Sequence, residues 1–379
     1  MEPFGAAPFE IIDGDRGKAY PKQGDFHSSG HCLFLSAANV TKTGFNFAEC
    51  QFIDEQKDTQ LRKGKLKRQD VVLTTRGTLG NVGYYDTGVP FEHLRINSGM
   101  VILRCDRSRI LPDFLYAFLR SQLFLKQVEQ MRSGVAQPQL PIRDMHRILI
   151  PVPTTFQQKR LVEVVSAYDE LIGNNQRRIA LLEEAARLLY REWFIYLRFP
   201  GHEHVNVAGG IPQGWECKPL GQVAELLYGK ALKQENRADG PFPVYGSSGI
   251  VGTHRSALVE GPAIIVGRKG NVGSVYWSPV DFWPIDTAYF IPKPQCDYWL
   301  YLTLPLVGFQ NTDGGVPGLN RDFAYSRKVT CPSGRLRRIF NETVDAMFAQ
   351  RTSLENYNQK LAQARDLLLP RLMNGEIAV

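Results

Sequence analysis

A long apolar heptad pattern occurs twice in this chain of 379 residues and limits the folds open to it. The first copy has its apolar positions at Leu161, Val165, Tyr168, Ile172, Ile179, Leu182, Ala186, Leu189 and Trp193, interrupted by Asn175. The second copy, 179 residues later, has them at Phe340, Val344, Met347, Leu354, Leu361, Leu368 and Leu372, interrupted by Arg351, Asn358 and Arg365. A seam this narrow is typical of helices that pair along their length. We therefore predict two long helices of matching register that pair with each other.

A glycine-rich segment is duplicated as well. RGTLGNVGYY at 76–85 and VGRKGNVGSVYW at 266–277 share the frame G-x-x-G-x-x-G, 190 residues apart, and each carries an arginine, Arg76 or Arg268. Neither copy is followed by Lys-Ser/Thr, which disfavours a nucleoside triphosphate loop. Because glycine permits tight curvature and close approach of backbone N–H groups to an anion, we predict strand-to-strand loops that face an anionic partner. A purely structural hairpin is the alternative.

These repeats predict an α+β chain with a pseudo-twofold internal repeat, in the order globular module, long helix, globular module, long helix. Short β-branched runs such as DVVLTT and AIIVG predict strands, and 112–131 predicts one amphipathic helix. Gly17-Lys18 aligns with Gly229-Lys230 in the two modules. The predicted boundaries are 1–153 for the first module, 154–197 for the first helix, 198–210 for a linker, 211–333 for the second module, and 334–379 for the second helix and tail.

Composition narrows the partners and the compartment. A net charge of +7 and an isoelectric point near 9.0 favour an anionic partner such as nucleic acid. The six cysteines include no C-x-x-C pair, which argues against a disulfide framework and against a zinc site. No apolar run is long enough for a membrane span and the amino terminus does not read as a signal peptide. We therefore expect a cytoplasmic protein without a membrane partner.

Several segments together carry a family resemblance: IIDGDRGKAYP (11–21), RINSGMVILR (95–104), AQPQLPIRD (136–144), QQKRLVEVVSAYDELIGNNQRRIALLEEAARLLYREWF (157–194) and IPQGW (211–215). Through them the chain resembles the specificity subunit of type I restriction–modification enzymes. The resemblance implies two target recognition domains, each reading half of a split DNA sequence, separated by two long antiparallel coiled-coil helices. It also implies a subunit without catalysis of its own that directs methyltransferase subunits, and through them a restriction subunit, to double-stranded DNA. Those partners, rather than this chain, would use S-adenosylmethionine, Mg²⁺ and ATP.

With DNA as the implied partner, thirteen side chains become candidates for contact with it. They belong to a basic run, the two glycine segments and a loop-rich part of the second module: Arg62, Lys63, Lys65, Lys67, Arg68, Arg76, Asn81, Tyr245, Ser247, His254, Arg268, Lys269 and Asn271. Basic side chains would neutralise phosphates, and small polar side chains on loops can reach base edges. The alternatives are a solvated charged face for the basic run and core packing for the aromatic positions.

Motifs for catalysis are missing from the sequence. We find neither the Asn/Asp-Pro-Pro-aromatic motif of amino-methyltransferases nor an F-x-G-x-G cofactor loop, and no convincing nuclease pattern. His202 and His204 form an isolated H-x-H in the linker, which is a weak metal signal. We therefore predict no catalytic, cofactor or metal site. Three alternatives stay open: the recognition subunit of another bifunctional restriction–methylation system, an enzyme with an unrecognised nuclease or transferase site, and a coiled-coil scaffold.

Overall fold

The computed structural model describes residues 1–131, 139–312 and 317–373. The predicted tail after Met373 and short stretches of both predicted modules lie outside the described residues. By packing, the chain divides into two compact units, Met1–Asn175 with Asn356–Val379, and Gln176–Glu355. Each unit takes one half of each long helix. The boundaries predicted between module, helix and linker therefore stay a prediction.

The first unit is built on two small sheets. Its strands are β1 Glu2–Pro3, β2 Phe9–Asp13, β3 Cys32–Leu35, β4 Val40–Thr41, β5 Gly44–Phe45, β6 Phe52–Ile53, β7 Val71–Thr74, β8 Val82–Tyr84, β9 Leu94–Ile96, β10 Met100–Cys105 and β11 Leu149–Ile150. Its short helices are α1 Glu55–Gln60, α2 Pro112–Leu119, α3 Gln122–Met131 and α4 Ile142–Met145. The larger sheet has the order β2-β10-β7-β8 and the smaller one β6-β3-β9.

The single helix predicted over 112–131 is two helices. The break falls at Arg120 and Ser121, where the Ser121 hydroxyl donates to the carbonyl of Phe118 at 2.6 Å. A serine that bonds the preceding turn offers the backbone an alternative to helix continuation. Apolar periodicity on both sides of the break concealed it.

The second unit repeats this plan. Its strands are β12 Val207–Ala208, β13 Ile211–Pro212, β14 Glu216–Pro219, β15 Leu227–Tyr228, β16 Phe242–Gly246, β17 Gly249–His254, β18 Ala263–Gly267, β19 Val275–Ser278, β20 Trp283–Pro284, β21 Ala288–Ile291 and β22 Lys328–Cys331. Its short helices are α6 Tyr298–Thr303 and α7 Arg321–Ser326. The sheet β15-β21-β18-β19 is antiparallel throughout, like β2-β10-β7-β8 of the first unit.

One glycine has the same position in both of these sheets. Gly14 follows β2 and Gly229 follows β15. A Cβ on Gly14 would lie 2.3 Å from the Asn97 carbonyl oxygen, and a Cβ on Gly229 would lie 2.1 Å from the Ile285 carbonyl oxygen. Only glycine fits so close to another backbone segment. The counterpart of Gly229 is therefore Gly14, and the alignment with Gly17 was wrong by three residues.

Two long helices lie in the parts of the chain where the heptad pattern predicted them. They are α5 Thr155–Tyr190, followed by a π-helical turn at Arg191–Ile195, and α8 Gly334–Met373. The mixed helix and strand composition and the long helices are as predicted.

In the first unit, the early part of α5 meets the late part of α8. Leu161 and Leu372 belong to the same buried core. Asn175 donates to the side-chain oxygen of Asn358 at 2.9 Å, and Arg365 pairs with Asp169 at 2.5 Å. The numbers rise along one helix as they fall along the other, so the segments run antiparallel. Two of the polar residues that interrupt the apolar seams thus bond to each other.

In the second unit, the late part of α5 meets the early part of α8. Ala186 and Tyr190 share a core with Phe340 and Val344. The remaining interruption of the second seam, Arg351, pairs with Glu183 of α5 at 2.9 Å. The heptad positions therefore bury apolar side chains while the polar exceptions find partners across the seam.

A buried carboxylate organises the segment that carries the basic run. Asp58 is 1% exposed and forms ion pairs with Lys65 and Arg95, and Nε2 of His31 lies 3.5 Å from its Oδ2. Burial opposes ionisation of Asp58, but the two cationic partners outweigh it and hold its pKa below the usual range. Arg95 also donates to the carbonyls of Asp58, Leu61 and Lys63, so this network fixes the backbone ahead of the exposed lysines.

Candidate nucleic-acid interface

The glycine segments form matching turns after β7 and β18. Gly77 and Gly80 have φ values of 73° and 80°, and Gly270 and Gly273 have 82° and 75°. The turns close alike, with the Gly80 N–H donating to Thr74 at 3.1 Å and the Gly273 N–H to Gly267 at 2.9 Å. Residues with side chains rarely adopt this left-handed region, which explains the glycines.

The structural register of the two turns differs from the sequence register. Gly77 corresponds to Gly270 and Gly80 to Gly273, an offset of 193 residues and not 190. The shared Asn-Val-Gly letters are therefore not equivalent positions, since Gly83 lies in β8 while Gly273 lies in the turn. What the two units share is the shorter frame G-x-x-G with both glycines left-handed.

Each turn is held against the segment that precedes a short helix. The Leu140 N–H donates to the Thr75 carbonyl at 2.9 Å, and the Leu319 N–H donates to the Arg268 carbonyl at 2.8 Å. The residue after each of these carbonyls, Arg76 or Lys269, is exposed. Each unit thus presents a basic side chain on a turn whose backbone is fixed on two sides.

The basic run of the first unit is exposed but only partly free of structural roles. Arg62, Lys63, Lys65, Lys67 and Arg68 are all exposed. Lys65 pairs with the buried carboxylate described above. Arg68 donates to three backbone carbonyls and stacks on an aromatic ring at 4.2 Å, so it holds a loop as well.

Asp15 anchors the start of this basic run. Its carboxylate accepts the N–H groups of Gly17, Arg62 and Lys63 at 2.7, 2.7 and 3.3 Å. Burial opposes ionisation, but these three backbone donors outweigh it and keep the pKa of Asp15 below its usual range. The arginine and lysine side chains therefore project from an ordered backbone.

The glycine turn of the first unit borders a small cavity. The cavity measures about 200 Å³, and Asp13, Arg16, Arg76 and Gln139 are among its lining residues. Asn81 donates its side-chain N–H to the Val40 carbonyl at 2.9 Å, which ties the turn to the smaller β4–β5 hairpin. Of the two predicted residues here, Arg76 is exposed and Asn81 is half-buried.

Three candidates of the second unit are buried. Tyr245, Ser247 and His254 are 5%, 8% and 7% exposed. The Tyr245 ring packs edge-on against Phe282, and burial raises the pKa of its hydroxyl. Nδ1 of His254 accepts the Ala238 N–H at 3.2 Å. These contacts give Tyr245 and His254 a packing role, and DNA contact by any of the three stays a prediction.

The other three candidates of the second unit surround its glycine turn. Lys269 and Asn271 are exposed, and Arg268 is half-buried. The Arg268 guanidinium carbon lies 4.9 Å from the ring centre of Tyr228, which is 48% exposed. Arg321 lies 5.0 Å from the same ring centre. Sequence reasoning missed Tyr228 and Arg321, although an aromatic residue directly before Gly229-Lys230 was a usable signal.

The part of the chain that the structure describes holds no cluster of three or more His, Cys, Asp or Glu side chains suited to a metal ion. His202 bonds the Phe199 carbonyl in the linker region. Burial raises the pKa of Cys32 to about 12, which suppresses its reactive thiolate form. Among the described helices, none has both the length and the apolar character needed to cross a membrane.

Comparison with known proteins identifies the family. The model of the type I restriction modification DNA specificity domain matches residues 9–184 and 212–318. The chain belongs to this family. Both glycine turns lie within the matched segments of this specificity-domain protein, as does nearly all of the first long helix.

Relatives of this family member match along most of its length. It is 22% identical to the type I restriction enzyme HindI specificity subunit of Haemophilus influenzae, covering 96% of this chain and 98% of the relative. It is 23% identical to the MjaIX specificity subunit of Methanocaldococcus jannaschii, covering 82% and 78%. The type I S subunit structure from M. genitalium has a TM-score of 0.52 at 18% identity and covers 98% of this chain and 95% of its own. That likeness concerns the fold.

Proposed function

We propose that this chain is the DNA-specificity subunit of a type I restriction–modification complex, and that each unit reads one half of a bipartite site. The observation that carries the proposal is the family match, which falls on both units and includes both fixed glycine turns. Exposed basic side chains on and near these turns would contact phosphates, which supply affinity and position the protein without reading sequence. Loop side chains in the groove would then read base edges.

In this proposal α5 and α8 form the antiparallel coiled-coil spacer between two target recognition domains. Support comes from the seam contacts within each unit, where Asn175 meets Asn358 and Glu183 meets Arg351. Exposed apolar side chains remain on the outer faces of these helices, among them Leu181 and Leu188 at 69% and 49% exposure. Methyltransferase subunits would bind such faces, and a restriction subunit would join through them.

Catalysis in this proposal belongs to the partners. The methyltransferase subunits would bind S-adenosylmethionine and methylate adenine, and the restriction subunit would use Mg²⁺ and ATP. This chain would contribute only the recognition of the DNA site. Purified by itself, it should neither methylate nor cut DNA when these cofactors are supplied, and a cognate methyltransferase subunit should bring adenine methylation.

The deciding experiment is an exchange of one recognition region. Residues 211–333 are replaced by the matching segment of a relative with a different methylated motif, and the host methylome is sequenced with the methyltransferase subunit present. One half of the motif should change and the other should stay. The reciprocal exchange of residues 1–153 is the matched control and should change the opposite half. Simultaneous change of both halves in either exchange, or of neither, contradicts independent reading.

A further inference from the structure

An exposed tyrosine with two arginines marks the second unit. The guanidinium carbons of Arg268 and Arg321 lie 4.9 and 5.0 Å from the centre of the Tyr228 ring. Arg268 donates to the Asp286 carbonyl at 3.1 Å, and among the described residues neither arginine forms an ion pair. Attraction to a ring at an exposed site is weak, and it leaves the two positive charges without a negative partner.

All three side chains come from fixed backbone. Tyr228 pairs with Tyr289 in the sheet, and the glycine after it packs directly on a neighbouring carbonyl. The Arg268 N–H donates to Thr287 at 2.9 Å while its carbonyl accepts from Leu319 at 2.8 Å. Arg321 is the first residue of α7, whose cap Asn320 accepts two N–H groups. The backbone positions that carry the two cations are therefore fixed before any ligand arrives.

The first unit has other chemistry at the same three positions. Asp13 ends β2 as Tyr228 ends β15, and Thr75 accepts the hydrogen bond from Leu140 that Arg268 accepts from Leu319. Ile142 begins α4 as Arg321 begins α7. An acid, a neutral hydroxyl and an aliphatic side chain thus replace the tyrosine and both arginines. The feature belongs to the second unit.

We propose that Tyr228, Arg268 and Arg321 form a clamp for a phosphodiester group of the DNA backbone, specific to the second unit. A guanidinium donates parallel N–H groups that match phosphate oxygens, and an anion between the two cations removes their repulsion. The clamp adjoins the glycine turn and its exposed Lys269, so the anion would lie where the proposed function places DNA. The clamp rests on that proposed function and deepens it, because it assigns these residues to backbone contact and not to base reading.

The test uses the full chain, assembled with its methyltransferase subunit, and a duplex of random sequence as probe. Each phosphate contact contributes about 0.9 to the slope of log affinity against log salt concentration. R268Q and R321Q should each lower the slope by that amount. The loss of affinity caused by either substitution should therefore be about 3.5-fold larger at 50 mM salt than at 200 mM salt. Y228F, which keeps the ring, should bind as the unchanged protein does, whereas Y228A should weaken binding.

Two controls separate charge at the clamp from charge in general. R268K keeps the positive charge and should retain most of the slope, which also shows that position 268 tolerates substitution. R191Q removes an arginine that lies 5.7 Å from the Tyr196 ring centre, and Tyr196 is 48% exposed, as Tyr228 is. R191Q should leave the slope unchanged. Thermal unfolding of every variant identifies any loss of folding.

The outcomes distinguish the clamp from the function beneath it. If the unchanged assembly binds DNA and R268Q and R321Q have the slope of R191Q, the clamp is refuted and the proposed function stands. If the unchanged assembly fails to bind DNA, the proposed function is refuted and the clamp with it. Inorganic phosphate at constant ionic strength is the last arm. Stabilisation by phosphate that R268Q abolishes, without any change of DNA slope, would assign a small-anion site and overturn the DNA clamp.

Discussion

The pair Asn175–Asn358 at the helix seam offers a quantitative test of what aligns the two long helices. Asn175 is 6% exposed, and its side-chain N–H bonds Asn358 at 2.9 Å. Replacing Asn175 by alanine would leave the partner amide in a mostly apolar seam. A buried polar group without its partner costs about 1–3 kcal/mol. Because Asn358 is half-buried and still reaches the Ile172 carbonyl at 3.5 Å, we expect a loss of about 1–2 kcal/mol in the free energy of unfolding.

A double substitution separates stability from alignment. In N175L/N358L apolar side chains replace the polar pair, so the free energy of unfolding should equal or exceed that of the unchanged chain. A polar pair in an apolar seam helps to specify register, so the double variant should tolerate slipped pairing more readily than the unchanged protein does.

Urea denaturation followed by circular dichroism measures these effects, with N356A as control. Asn356 lies on α8 and is exposed, so its loss should change the free energy of unfolding by less than about 0.5 kcal/mol. Equal midpoints for N175A and N356A would refute the reasoning. So would a double leucine variant less stable than N175A.

Three further predictions concern other parts of the molecule. D58N should lower the free energy of unfolding by roughly 3 kcal/mol at neutral pH. Because the pKa of Asp58 is lowered by folding, this contribution is present above about pH 4 and is lost as the pH falls through the folded pKa, so unfolding curves of variant and parent should converge in acid. G229A should destabilise the second unit, since its Cβ would lie 2.1 Å from the Ile285 carbonyl oxygen. A melting temperature lower than that of G334A would show it, because a Cβ at Gly334 meets no atom within 4 Å. A heptad inserted after Asn175 and another before Asn358 keep the seam in phase and lengthen each helix by ~10 Å. The gap in the methylated motif should then widen by about three base pairs. An unchanged gap with full activity would contradict a spacer role.

Part of this structure could be predicted from local patterns in the sequence. The spacing of apolar residues predicted both long helices, because one face of a helix must be buried wherever that periodicity persists. Left-handed glycines in the turns were also foreseeable, since few other residues adopt such backbone angles.

The residues of the candidate interface were harder to predict from the sequence. Tyr245 and His254 have loop-like, polar neighbours in sequence, yet both are buried, and the rings that pack against them, Phe282 and Trp283, come from a later segment of the chain. The clamp around Tyr228 joins residues from three segments, and a pattern within one segment does not predict a contact with another segment.

The long helices and the glycine turns could thus be predicted from the amino-acid sequence. The helices depend on the periodicity of apolar residues, and the turns depend on the backbone angles that single residues allow. Tertiary structure alone decided which positions of the two copies correspond. The turns align at 193 residues and not at 190, because hydrogen bonds to Leu140 and Leu319 place them. It also decided where basic side chains are neutralised, as at Asp58, and where two of them stand unpaired beside Tyr228. Charge pairing depends on distances in space, and the order of residues along a chain does not specify those distances until the strands have paired.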